Sequence, residues 1–295
     1  MVKYYNPEEQ QEQEQQIQQP TTNTKSSDKR INFQTSITQT PLWRLKPIPT
    51  NIPRYNTNIK AFDKEFKGLT YGLTIFIGQE GTGKSKLAKL IASKTKGKCL
   101  YVICESIIDA PKSNNVLIAN YTRNLPLWQK ALQELYALCN HIQPDLVVID
   151  SITEFLSNTT KAVSEADIRP GAFEISKAFE EQKLPVIGIS EVRGTGYNEA
   201  PAGGKAISHA GHMIFQFTKR LIETPWEEER YETQIGNFAW FITCIKDKQG
   251  QANQGKQFRI TYTHNEQDIE LHTAKQHVNK NTNNNNNDNN EQEVE

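Results

Sequence analysis

Eight consecutive residues, Gly78-Gln79-Glu80-Gly81-Thr82-Gly83-Lys84-Ser85, have the types and spacing of a loop that wraps phosphate. The glycines let successive backbone N–H groups curl round one anion, Lys84 can reach the β and γ phosphates of a nucleotide, and the Ser85 hydroxyl can ligate Mg²⁺. That chemistry needs the loop to open a helix, whose first N–H groups have no internal partner. The apolar run Leu73–Ile77 stands before the loop and a helical pattern, Lys84–Lys94, follows it with Lys86 in its first turn. The context is therefore strand, loop, helix. The alternative, a chance Gly-rich turn, does not account for that placement.

A bound metal needs an acidic partner, and Asp150 ends the apolar run Leu146-Val-Val-Ile-Asp. In an open parallel sheet, ligands collect at the carboxyl ends of strands, where Gly78 and Asp150 would both sit. The alternative is that Asp150 caps the following segment through Ser151. Glu105 ends Leu100-Tyr-Val-Ile-Cys-Glu, the first strand after the loop's helix. A carboxylate there could orient the water that attacks a γ-phosphate, or it is an ordinary acid at the sheet rim.

The elements that must position these groups are legible in outline. Apolar runs at Leu73–Ile77, Leu100–Cys104, Val116–Ala119, Leu146–Ile149 and Pro185–Ile189 alternate with helical patterns at Lys84–Lys94, Trp128–Leu138 and Phe173–Glu181. Continuous apolar strands separated by amphipathic helices predict an α/β domain, a mostly parallel sheet flanked by helices on both faces. Met213–Thr218, Ala239–Ile245 and Gln257–Thr263 lack long helices between them. They predict antiparallel strands added at the C-terminal end.

The 295 residues carry 34 basic and 34 acidic side chains, but the balance is uneven along the chain. Residues 1–40 form a Gln/Glu-rich tail and 273–295 an Asn-rich tail, both mildly acidic and too polar to bury the surface that ordering requires. Pro41, Pro47, Pro49 and Pro53 make 41–55 a linker arm that cannot be one long helix. The remaining 56–272 is sized for one folded domain and holds a small basic excess. No apolar run reaches membrane-spanning length and no signal pattern opens the chain, which predicts a cytoplasmic or nucleoid-associated protein with no membrane partner. Cys99, Cys104, Cys139 and Cys244 are widely spaced without CxxC and read as core thiols.

From Asn56 to Thr263 the chain resembles the RecA-type ATPase superfamily, in particular its archaeal RadA/RadB and KaiC-like branch. Thr57-Asn-Ile-Lys-Ala-Phe-Asp63 through Gly68-Leu-Thr-Tyr-Gly72 is similar to the family's lead-in segment, with Asn58 where Gly is usual. Tyr101–Ser106 is similar to the strand whose Glu activates water, and Leu146–Ile152 to the family's Walker B strand. The resemblance implies a RecA-like P-loop NTPase fold, ATP and Mg²⁺ as cofactors, Ser85 and Asp150 on the metal, and Glu105 as the water-activating residue.

It also implies DNA contacts. Ala200-Pro-Ala-Gly203-Gly204-Lys-Ala-Ile-Ser-His209 is similar to the closure of a recombinase's second DNA loop, which would place Arg193, Gly194, Tyr197, Gly203 and Gly204 on single-stranded DNA. A cation, an aromatic ring and flexible backbone suit that ligand; a mobile surface turn is the alternative. An earlier loop, Ser157–Gly171 with Arg169, corresponds to the first DNA loop, although Glu165 and Asp167 offset its charge. Glu191 stands where the family often has a γ-phosphate-sensing Gln, and a carboxylate cannot donate as an amide does. Lys246-Asp-Lys248 is similar to a K-x-K element offered to a neighbouring subunit's nucleotide, or is a solvated hairpin. Phe33-Gln-Thr-Ser36 is weakly similar to a protomer-docking handle.

These features imply an ATP-dependent DNA-binding protein of recombination or repair, a strand-exchange ATPase or an accessory paralogue. Its partners would be single-stranded DNA and either further copies of itself or a recombinase hetero-assembly. The competing readings are a KaiC-like regulatory ATPase without nucleic acid, favoured by the near-neutral core, and a ring helicase or DNA translocase.

Overall fold

The structure, a computed structural model, describes residues 53–104, 111, 113–121, 128–157, 165–193, 200–201 and 204–274, with backbone alone at 165–167, 193, 200 and 201. The tail assignments for 1–40 and 275–295, most of the arm, and Phe33–Ser36 lie outside the described residues.

Six strands run parallel: β1 (Gly72–Gly78), β2 (Cys99–Ile103), β3 (Val116–Asn120), β4 (Leu146–Asp150), β5 (Pro185–Arg193) and β7 (Met213–Leu221). Three antiparallel strands extend the sheet, β8 (Phe238–Asp247), β9 (Gln257–Tyr262) and β10 (Ile269–His272). The order is β10-β9-β8-β7-β1-β5-β4-β2-β3, and the two-residue β6 (Ala200–Pro201) pairs with the end of β5. The fold is thus a mostly parallel α/β sheet with antiparallel strands at its C-terminal side.

Alternate residues of each strand serve opposite faces. Leu73, Ile75 and Ile77 of β1 pack with α3 (Trp128–Ile142), α4 (Ile152–Ser157), α5 (Glu165–Glu181) and α6 (Gly204–Ala210). Phe76, Phe215, Phe217 and Phe258 face the other way, onto α1 (Lys60–Phe66) and α2 (Lys84–Lys94). Each such buried side chain stabilises the fold by roughly 1.5–3 kcal/mol. The two-sided cover fails at β3, where Leu117 and Ile118 are 40% and 47% exposed, because β3 ends the sheet.

Other differences from the sequence reading have local causes. Residues Glu165–Gly171, expected in a loop, form the first turns of α5 despite Pro170, so Arg169 stands on a helix with its guanidinium 5.7 Å from the Phe173 ring. Short α7 (Pro225–Tyr231) interrupts β7 and β8 and is fixed by a capping box between Thr224 and Glu227. Asn58 adopts φ 61°, in the left-handed region that favours glycine, and its amide donates to Lys94 O at the end of α2.

The arm's last residues are tied into the core. Tyr55 exchanges backbone hydrogen bonds with Leu69, and Arg54 grips Asp247 with Nη2 at 2.7 and 2.6 Å from the two carboxylate oxygens. All four cysteines are buried and none is in a disulfide.

Candidate phosphate-binding site

Gly78 closes β1 with no room for a side chain, since a Cβ there would lie 2.4 Å from Phe217 O. The loop then turns into α2 through Gly83 at φ 92°, and this helix N-terminus has no side-chain cap and no acid in its first turn. Its orphan N–H groups and dipole are left for an anion. Lys84 is buried, its ammonium donating to Gly78 O and Gln79 O, each at 2.8 Å. A buried ammonium resting on loop carbonyls is poised to exchange them for phosphate oxygens. Thr82 Oγ1 donates to Gln79 O at 2.7 Å and tightens the loop, while Gln79, Glu80 and Gly81 are exposed.

Register brings the other strand ends to this loop. Gly78 pairs with Glu191 across β1 and β5, and Asp150 with Ile189 across β4 and β5. Asp150 is half-buried and accepts from Tyr101 Oη at 2.9 Å. Burial, reinforced by Asp150, pushes the Tyr101 phenol far above its usual range, so it stays a donor. The capping of α4 falls to Ser151, whose Oγ accepts from Glu154 N at 3.3 Å; Asp150 is left facing the loop's side of the sheet. Ser85 is half-buried in the first turn of α2. Among the described residues no group of three or more His, Cys, Asp or Glu could hold a metal. A hydroxyl, one carboxylate, phosphate oxygens and water suit Mg²⁺ nonetheless.

Glu105 lies outside the described residues, directly after Cys104, whose N–H donates to Asp150 O at 2.8 Å. Gly194, Tyr197 and Gly203 also lie outside them. Arg193 ends β5 and pairs with Ala200, and Gly204 opens α6 at φ 63°.

Lys246 and Lys248 stand at the other end of the sheet: Lys246 pairs with Ile214, three residues before the Phe217 that pairs with Gly78. The Lys246 ammonium donates to Ser208 O at 2.5 Å, in the last turn of α6. Burial, aided by Lys248, lowers its pKa. These lysines are remote from their own phosphate loop.

Residues absent from the sequence reading complete the surroundings. Trp240 Nε1 donates to Gly81 O at 3.2 Å. Lys86 lies 4.3 Å from the Tyr262 ring centroid and pairs with Glu266 at 2.7 Å. Both border a cleft of about 650 Å³ beside the loop, next to the buried Tyr262 hydroxyl, which has no hydrogen-bond partner among the described residues. Strand alternation marks Trp240 and Tyr262 as facing one side, but nothing in the sequence links either to the loop.

A phosphate loop between β1 and α2, with an acidic strand end two strands away across an interposed β5, defines the P-loop nucleoside triphosphatase fold in its RecA-like form. Residues 74–192 match the AAA family, described as "ATPase family associated with various cellular activities". Among solved structures, a KaiC-like protein from the hyperthermophilic archaeon Pyrococcus horikoshii superposes with a TM-score of 0.55 at 15% identity, over 75% of this chain and 100% of that one. At that identity the likeness is one of fold. A comparison with curated protein sequences finds no match. Among the described residues no helix is long and apolar enough to cross a membrane.

Proposed function

We propose that the chain binds ATP with Mg²⁺ at Gly78–Lys86 and hydrolyses it. The observation that carries this reading is the uncapped N-terminus of α2 beside the buried Lys84 ammonium, a cradle of donors for which a triphosphate is the matching anion. Lys84 gives up its two carbonyls to hold the outer phosphates. Ser85 and Asp150 would hold Mg²⁺, which would supply neutralisation of phosphate charge. Tyr101 fixes the Asp150 carboxylate, and Glu105 orients the attacking water. The nucleoside lies in the cleft by Lys86 and Tyr262.

A second reading, single-stranded DNA at Arg193–Gly204, is favoured by one connection: β5 carries Glu191, the register partner of Gly78, two residues before Arg193, where the strand ends. A change at the loop would travel along that strand to Arg193. In an assembly of RadA or KaiC type, Lys246 and Lys248 would complete a neighbouring subunit's site, since they cannot reach their own.

ATP turnover measured with and without single-stranded DNA at two salt concentrations tests both readings. Turnover abolished by Lys84→Ala supports the first. Stimulation by DNA that weakens with salt and disappears in Arg193→Ala supports the second, and unstimulated, salt-insensitive turnover leaves a regulatory ATPase instead.

A further inference from the structure

We infer that Trp240 is a positioning residue for the phosphate loop, setting the orientation of one of its phosphate-binding amides from outside. The inference rests on the reading of Gly78–Lys86 as a triphosphate site. Beyond Phe217, the partner of Gly78, β7 continues for four residues paired with β8 and has left β1 behind. This two-stranded extension rises beside the loop. Trp240 and Lys219 are direct cross-strand partners on it, a spacing at which side chains share one face.

From that face the Trp240 indole N–H donates to Gly81 O at 3.2 Å. The Lys219 ammonium comes so close that a Cβ built on Gly81 would lie 3.2 Å from it.

The consequence follows from peptide geometry. The only cis peptide among the described residues is Asp150–Ser151, so the Gly81–Thr82 peptide is trans, with its C=O and N–H pointing in opposite directions. Drawing the Gly81 carbonyl outward toward β8 turns the Thr82 N–H inward, to the side where the loop must meet phosphate. Gly81 sits at φ 71°. A glycine next to the peptide leaves it free to flip at little steric cost, and a flipped peptide would aim a carbonyl at the anion. Trp240 removes that alternative. The same contact gives a purpose to an indole that is 40% exposed.

The test uses the full chain and calorimetric titration with Mg-ATP and with inorganic tripolyphosphate, which has no base to touch the cleft. Trp240→Phe keeps the ring and loses the donor. It is expected to raise Kd for both probes by a common factor of about threefold to tenfold, the range of one hydrogen bond, with nucleotide-free melting unchanged. Trp226→Phe, an equally exposed indole on α7, is expected to leave both affinities as they are.

Equal affinities in wild type and Trp240→Phe overturn the inference, as does a loss confined to Mg-ATP or a loss accompanied by a lowered nucleotide-free melting temperature. Wild-type protein that binds neither probe overturns the phosphate-loop reading itself, and with it this one.

Discussion

At the carboxyl end of the parallel strands, Lys84 rests on two loop carbonyls and Asp150 is half-buried with the Tyr101 hydroxyl on one oxygen. At the amino end, Lys246 is bonded into the last turn of α6. The Asp247 side chain there is 0% exposed, held by both contacts from Arg54 and by the N–H groups of Gln249, Gln251 and Ala252. The residue types are the same; what differs is their surroundings, since Lys84 stands beside the uncapped N-terminus of α2 whereas the Asp247 carboxylate is saturated by groups of its own chain. A lysine or aspartate marks a ligand site when the fold leaves its neighbours' donors uncapped, and a structural joint when the fold saturates it.

The largest effect that would break this contrast is at the saturated end. Arg54→Ala strands the Asp247 carboxylate in the interior and is expected to cost about 3–5 kcal/mol of stability, the usual penalty for a buried charge left without its partner; denaturant titration measures it. Next comes Lys84→Ala, expected to lower ATP turnover at least about 100-fold, equivalent to roughly 2.7 kcal/mol in the transition state. Nucleotide-free stability should stay within about 1 kcal/mol of wild type. A collapse of stability in that variant would erase the distinction between the two ends.

Smaller effects come from titration. Burial pushes the Asp247 carboxyl up, but hydrogen bonds from Ala252 N–H, the Arg54 guanidinium and Gln249 N–H outweigh it and hold the carboxyl below its ordinary value of 3.8. The folded pKa is the lower one, so this contribution to stability is complete above that value and is lost as pH falls through the folded pKa. Acid unfolding of an Asp247→Asn variant, compared with wild type, is expected to lose that part of the pH dependence. The smallest effect is at His212. Burial, with Lys248 nearby and Glu180 opposing, lowers its pKa from 6.5. Stability is therefore complete above 6.5 and declines as pH falls below it, a slope that His212→Gln should flatten in melts taken across that range.

The loop and its helix were legible because the motif and the hydrophobic pattern coincide there: the expected helix Lys84–Lys94 is α2 to the residue. Asp150 was legible because a continuous apolar run has an unambiguous end. The first turns of α5 were not, since Pro170 and Gly171 read as breakers and only packing of Ile168 and Ala172 into the core overrides them. Helix α7 could have been found from Thr224-Pro-Trp-Glu227, a capping box with Pro at the first position. Trp240 on Gly81 and Arg54 on Asp247 could not. Those pairs are 159 and 193 residues apart in sequence, and no local pattern encodes which distant strand a side chain will meet.

The four buried thiols give the molecule internal clocks. Burial pushes Cys139 and Cys244 each up to about 12, and Cys99 higher still, so a thiol reagent at neutral pH finds almost no thiolate until the surrounding segment opens. Their modification rates report separately on α3, β8 and β2. The order in which the cysteines become reactive would time the opening of the two faces of the sheet without any label being introduced.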